Sequence, residues 1–281
     1  MLYLNYDNLP EEFEIMTFPG GEPHVKIPVI EGYEVFLRAE IRGFEDMGYV
    51  MALLNAIKSQ NKYVYLFLPY FPGARQDRNP GGTTPLTVDM YAKMLQPYVD
   101  MLIVFDIHSS GAVHYIARHF GQTRFHQPFE LPQGSFGVNE VAGIIAPDKG
   151  AITRAQGVAH AHFNDCPVVF AEKQRDFNSG HITGYHLHSL PAPGIWLVID
   201  DICDGGWTFN ELAKAFSQDP VSTDSELWLY VSHGIFSKGF DNISPQYTKI
   251  FTTDSWLYPA FATHDRLNII PLNWIETLYI S

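Results

Sequence analysis

The chain has 281 residues, of which 46% are hydrophobic and 17% charged, enough to build a large folded core and unlike a disordered chain. With 18 basic and 31 acidic residues its net charge is −13, so there is no basic stripe for nucleic acid, and any phosphate must be held locally by a few cations, backbone N–H groups or a metal ion. The apolar runs near 63–71 and 195–199 are too short to cross a bilayer, the acidic N-terminal stretch does not read as a secretion signal, and Cys166 and Cys203 form no CxxC pair. A soluble, cytoplasmic protein with no nucleic-acid or membrane partner is expected.

The elements follow in chain order. From Asp46 to Gln60 the apolar residues Met47, Val50, Met51, Leu53, Leu54 and Ile57 recur at helical spacing. YVYLFLPY (63–70) reads as a strand, 88–97 as a helix and DMLIVFD (100–106) as a strand. The polar stretch 121–140 reads as a connection between two halves. GIIAP (143–147) is a strand, 150–163 a helix, and CPVVFA (166–171) and GIWLVID (194–200) are strands. The segment 208–217 is a helix and LWLYVSH (227–233) a strand. Continuous apolar strands alternating with helices predict an α/β protein with mainly parallel sheets covered on both faces. The pattern runs through both halves, which predicts two similar domains, 1–130 and 131–281, with the C-terminal end packing back on the first.

Several strands end in polar residues: Asp106 and His108, then Asp148, then Asp200 and Asp201. Ligands of open α/β sheets bind outside the carboxyl ends of strands, so these ends are candidate site positions. In GIWLVIDDICDGGWTF (194–209) a strand runs into paired aspartates, a glycine loop and a helix, an arrangement suited to binding an anion and orienting hydroxyls or hydrated Mg²⁺. The plainer reading is a helix cap, with Asp204 or Thr208 as N-cap. LPYFPGARQDR (68–78) packs Arg75, Gln76, Asp77 and Arg78 together after a strand. Guanidinium groups suit phosphate or adenine, although such a run is more often a solvated turn. Lys173 and Arg175 open a polar loop that closes over a phosphoryl group on one reading and is a basic turn on the other. No GxxxxGK[ST], GxGxxG or GxSxG is present, which removes the P-loop, the Rossmann dehydrogenase and the α/β-hydrolase.

Taken in order, these segments resemble the ribose-phosphate pyrophosphokinase (PRPP synthetase) family. The matching segments are FPGGEPHV (18–25), LPYFPGARQDR (68–78), FDIHSS (105–110), APDKGAITRA (146–155), EKQR (172–175), VIDDICDGGWT (198–208) and HGIFS (233–237). The resemblance implies two tandem phosphoribosyltransferase-like domains, the first binding ATP and the second a ribose phosphate, with the site between them in a homo-oligomer. It implies ATP bound through Phe18, Glu22, Arg75, Gln76, Asp77 and Arg78, and Mg²⁺ held near His108 and Asp148. It assigns Lys173 and Arg175 to the moving diphosphate. Asp200, Asp201, Asp204, Gly205, Gly206, Trp207 and Thr208 are assigned to the sugar and its 5-phosphate. The implied reaction is transfer of the β,γ-diphosphate of ATP to the C1 hydroxyl of a 5-phosphorylated ribose.

The chain departs from the pattern in three places. The family's phosphate loop usually reads Asp-Thr-Ala/Gly-Gly-Thr, whereas here Gly205 replaces a Thr and Trp207 stands beside the final Thr208. An indole there either stacks on a base or packs on the next helix. Stacking suits a substrate whose 5-phosphate continues into a nucleotide, and ADP-ribose, the acceptor of a similar phage branch feeding NAD synthesis, is weighed slightly above ribose 5-phosphate. Gly20 stands where the family usually carries Asp or Asn. A non-catalytic PRPP synthetase-associated regulator and a phosphoribosyltransferase are the alternatives.

Overall fold

The computed structural model describes residues 1–175, 182–256 and 263–280, leaving aside the side chains of residues 80, 175 and 182. The chain divides into two units, residues 1–126 with 272–281, and residues 127–271.

The first unit contains β1 (Leu2–Asn5), the hairpin β2 (Glu14–Thr17) and β3 (Pro23–Lys26), β4 (Glu34–Arg38), α1 (Phe44–Ser59) and β5 (Tyr63–Leu68). It continues with α2 (Thr87–Leu95), β6 (Met101–Phe105), α3 (Ser110–Ala117) and β7 (Gln122–His126). The sheet runs β1-β4-β5-β6-β7 and every pairing is parallel. Successive strand residues face opposite sides, and one side carries Val35, Leu37, Val64, Leu66, Leu102 and Val104. These are buried with Val50, Leu53, Leu54 and Ile57 of α1 and Val88 and Leu95 of α2.

The second unit begins with β8 (Gly143–Ala146), α4 (Ile152–His162), β9 (Val168–Phe170), the hairpin β10 (Glu172–Arg175) and β11 (Ile182–His186), and β12 (Ile195–Cys203). Then come α5 (Trp207–Ser217), β13 (Glu226–Gly234), β14 (Tyr247–Thr253) and β15 (Leu267–Ile270). Its sheet, also parallel throughout, runs β15-β14-β13-β12-β8-β9. From β8 the chain steps to β9 on one side, then to β12 on the other. The gap between the carboxyl ends of β8 and β12 is therefore the topological switch point, where ligands of open α/β sheets bind.

The last helix, α6 (Asn273–Ile280), belongs to the first unit. It covers the aromatic side of that sheet: Tyr279 lies 6.1 Å from the Phe36 ring and 6.3 Å from that of Tyr65. Glu276 meets the buried Arg38, at the end of β4, at 2.8 Å.

The α/β class, the mainly parallel sheets and the helical cover are as expected. All ten elements read from the sequence are present, with ends shifted by a few residues. One shift matters: β12 continues through Cys203, so Asp200 and Asp201 lie within the strand and not in a loop after it. Within 121–140, read as a connection, residues 122–126 form β7.

Glu40, two residues beyond β4, has little solvent contact and touches Arg42 and Arg38. Burial pushes its pKa up to about 7, against the pull of Arg42. A carboxyl raised on folding favours the native state only while protonated. Its contribution is thus complete below its ordinary pKa and is lost as pH rises through about 7. Urea unfolding of the wild type should show a fall in stability over that window, and Glu40→Gln should flatten the fall; equal slopes in the two proteins would refute the assignment.

Candidate active site

In the first unit the site residues gather at the carboxyl ends of β5 and β6. The chain leaves β5 through the buried Phe71 and Ala74, which anchor the turn and leave Arg75, Gln76 and Arg78 exposed. Two contacts fix this run. The Thr87 hydroxyl donates to the Gln76 side-chain oxygen, and the Ser109 hydroxyl donates to the Asp77 carboxylate. Ser109 also caps α3, accepting from the Ala112 N–H at 3.0 Å. The ARQDR and FDIHSS segments are thereby joined. Arg75, Gln76, Asp77, Arg78, His108 and Ser109 line one cavity of about 640 Å³ with Thr84 and Pro85, a volume in the range of small-ligand pockets. Phe18 and Glu22 do not line it. They sit at the turn of the β2–β3 hairpin, where the Phe18 N–H donates to the Glu22 carbonyl at 2.8 Å and Phe18, 45% exposed, lies against His24.

In the second unit the residues flank the switch point. Asp148, just beyond β8, accepts from the Gly150 N–H at 2.8 Å and from the Lys173 ammonium of β10 at 2.6 Å. Burial alone would raise the Asp148 pKa, but Lys173 and the Gly150 and Ala151 N–H groups outweigh it and hold it below the usual carboxylate range. Burial would lower the Lys173 pKa, and Asp148 raises it above its ordinary value. The backbone of Arg175 lies in β10, while its side chain and residues 176–181 fall outside the described residues.

Asp200 and Asp201 extend β12 beyond its pairing with β8. The Arg154 guanidinium, on α4 and only 10% exposed, stands 3.7 Å from Asp200 and 4.0 Å from Asp201. Burial, then the Asp201 carboxylate, push the Asp200 pKa well above the usual range, with Arg154 opposing them. Arg154 lies in the APDKGAITRA segment, whose local pattern assigns it no role. Its nearness to the aspartates comes from packing of α4 on the sheet, which spacing alone does not show.

The turn from β12 to α5 is held by its carbonyls. That of Cys203 accepts from the Ile235 and Phe236 N–H groups, that of Asp204 from Ser237, and that of Gly206 from Asn210. The Gly205 carbonyl accepts from the Asn242 amide at 3.3 Å. The first N–H groups of a helix lack intrahelical acceptors, so Trp207 and Thr208 present donors at the positive end of the α5 dipole. Neither Asp204 nor Thr208 is the N-cap; Gly206 is, at φ 79°, with no side-chain cap. A Cβ on Gly206 would lie 2.5 Å from Ile243 Cδ1. Trp207 is 45% exposed, its ring 6.2 Å from that of Tyr185.

Among the described residues no group of three His, Cys, Asp or Glu side chains is arranged to hold a metal ion. His108 stands in the first unit and Asp148 in the second. Asp148, kept ionised, has the hard oxygens that suit Mg²⁺, which commonly takes one or two carboxylates and completes its shell with water and substrate phosphates. No described helix is long and apolar enough to cross a membrane.

No family model matches the chain. It is 28% identical over 254 residues to a ribose-phosphate pyrophosphokinase of Pyrococcus abyssi, covering 86% of this chain and 83% of that one. It is 27% identical over 248 residues to the enzyme of that name from Rhizobium meliloti, covering 84% and 76%. The structure of phosphoribosylpyrophosphate synthetase from Mycobacterium smegmatis superposes with a TM-score of 0.80 at 16% identity, over 99% of this chain and 97% of that one, which establishes the shared fold. The chain is a relative of the ribose-phosphate pyrophosphokinases. The resemblance read from its motifs is borne out, and with it the expectation of an enzyme of that transferase type.

Gly206→Ala should lower unfolding free energy by about 2 kcal/mol, from the left-handed backbone and the collision with Ile243. A Cβ on Gly205 meets only ordinary contacts, 3.4 Å at the closest. Gly205→Ala should therefore leave unfolding nearly unchanged. Equal losses in urea titrations would show that backbone strain at Gly206 is not what the turn depends on.

Proposed function

We propose that this protein transfers the β,γ-diphosphate of ATP to the C1 hydroxyl of a ribose bearing a 5-phosphate, releasing AMP. The observation that carries the reading is the turn at the switch point. Paired carboxylates lead directly into a carbonyl-braced loop with exposed donors, in a chain whose curated relatives are named ribose-phosphate pyrophosphokinases.

On this reading the C1 oxygen attacks the β-phosphorus in line. One P–O bond forms, the bond from the β-phosphorus to the α,β-bridging oxygen breaks, AMP departs with that oxygen, and the hydroxyl proton passes to solvent. Such transfers depend on positioning and charge stabilisation, so no strong base is required. Arg75, Gln76, Asp77 and Arg78, with Phe18 and Glu22, bind ATP in the first unit. In the second, Asp200 and Asp201 hold the ribose hydroxyls and residues 204–208 the 5-phosphate. Lys173 and Arg175 steady the diphosphate. In the resting protein Asp148 holds the Lys173 ammonium at 2.6 Å, which keeps the cation charged until phosphate competes for it. Asp148 and His108 are the residues that would offer ligands to Mg²⁺, which would supply positive charge to the phosphates. A homo-oligomer and a cytoplasmic setting accord with this activity.

A second acceptor is favoured by one observation. Trp207 is 45% exposed beside the phosphate loop and is not packed away on α5, which leaves an indole face for a base. Stacking is worth about 1–3 kcal/mol per base, and ADP-ribose supplies both the free C1 hydroxyl and the adenine.

AMP release from Mg²⁺ and ATP is therefore expected when ribose 5-phosphate or ADP-ribose is added. Lys173→Ala should lower kcat by about 10²–10³-fold. Trp207→Gly should raise the KM for ADP-ribose about tenfold, with little change for ribose 5-phosphate. AMP release with neither acceptor would defeat the reading and favour a regulator. Use of PRPP with a nucleobase would identify a phosphoribosyltransferase.

A further inference from the structure

The 204–208 stretch, Asp-Gly-Gly-Trp-Thr, contains no Lys or Arg, and it follows Asp200 and Asp201 closely. Arg154 already faces Asp200 and Asp201, and a phosphate dianion brought to the loop meets backbone donors but also the Asp204 carboxylate, so a further cation would favour its binding. One stands on a different element. Lys238 lies in the turn after β13, and its Cε, Cδ and Cγ are 3.4, 3.5 and 3.8 Å from where a Cβ on Gly205 would be. The stem thus runs along the glycine of the loop, within ordinary van der Waals reach of where a Cβ would stand.

The turn around Lys238 is built and bolted in place. Phe236 and Gly239 hold left-handed φ values of 46° and 87°. The Ser237 N–H donates to the Asp204 carbonyl at 3.1 Å, and its hydroxyl donates to the Asp204 carboxylate at 2.5 Å. The residue before Lys238 is therefore fixed to the residue before Gly205. Among the described residues no carboxylate forms an ion pair with the Lys238 ammonium, and the side chain is exposed. A lysine whose stem lies along Gly205 and whose charge has no ion-pair partner among the described residues is suited to binding phosphate as a point charge.

We propose that Lys238 is a phosphate-binding residue of the acceptor site, supplying the positive charge that residues 204–208 lack. The proposal rests on the reading of that loop given above. Its chemistry is shared by two acceptors, ribose 5-phosphate with one phosphate and ADP-ribose with a second one bonded to it.

The test is calorimetric titration of the full chain with ribose 5-phosphate, ADP-ribose and unphosphorylated ribose, for wild type, Lys238→Gln and Lys238→Arg, with AMP release measured on the same preparations. Lys238→Gln should weaken binding of a phosphorylated acceptor about tenfold, leave ribose and the KM for ATP unchanged, and be largely rescued in Lys238→Arg. Equal losses for the two acceptors would place the ammonium on the 5-phosphate they share. A loss confined to ADP-ribose would place it on the second phosphate. Wild-type affinities retained in Lys238→Gln would overturn the proposal, as would a wild type that binds neither acceptor. Binding that depends on Lys238 without AMP release would retain the phosphate site and refute the diphosphotransferase reading instead.

Discussion

The second unit turns on how the chain passes from β12 to α5. Four successive carbonyls, from Cys203 to Gly206, are each taken by a donor, three of them from the segment 235–242. A turn whose acceptors are all occupied has its remaining polarity set by its N–H groups, and the α5 dipole adds to them. Gly206 makes the geometry possible, since its left-handed backbone and the nearness of Ile243 leave no place for a Cβ. The β13–β14 connection therefore shapes the β12–α5 turn without belonging to it.

Charge at this edge is arranged in opposed pairs. Arg154 faces Asp200 and Asp201, and Lys173 faces Asp148. Burying like charges side by side is costly, and the guanidinium at 3.7 and 4.0 Å offsets part of that cost. The first unit uses neutral groups for the same end: the hydroxyls of Thr87 and Ser109 orient Gln76 and Asp77 and leave the flanking arginines exposed.

Much of this was legible in the chain. Strands such as β5 and β12 are apolar runs that can only be buried, and α1 has helical periodicity, so class and layering follow from local pattern. The motif order carried the family resemblance. The short edge strands β1 and β15, the strand β14 between β13 and β15, the half-exposed β7 and the brief helices α3 and α6 were not read, because their burial comes from neighbours brought by the fold and not from their own periodicity. The end of β12 was placed too early for a related reason. Asp200 and Asp201 are poor strand residues by propensity, but pairing with β13 continues through Cys203 and overrides it.

The sequence by itself determined the α/β class, the acidic strand ends, the glycine loop and the order of segments that marks the family, because each is a local pattern. Tertiary structure alone decided that Ser109 holds Asp77, that Arg154 stands over the aspartates and that α6 closes the aromatic face of the first sheet through Tyr279 and the Arg38–Glu276 pair. It also decided that Trp207 stays exposed and that Lys238 lies along Gly205. The physical reason is common to these cases. Each contact joins side chains from separate elements, and its strength depends on distance and burial, which sequence spacing does not contain.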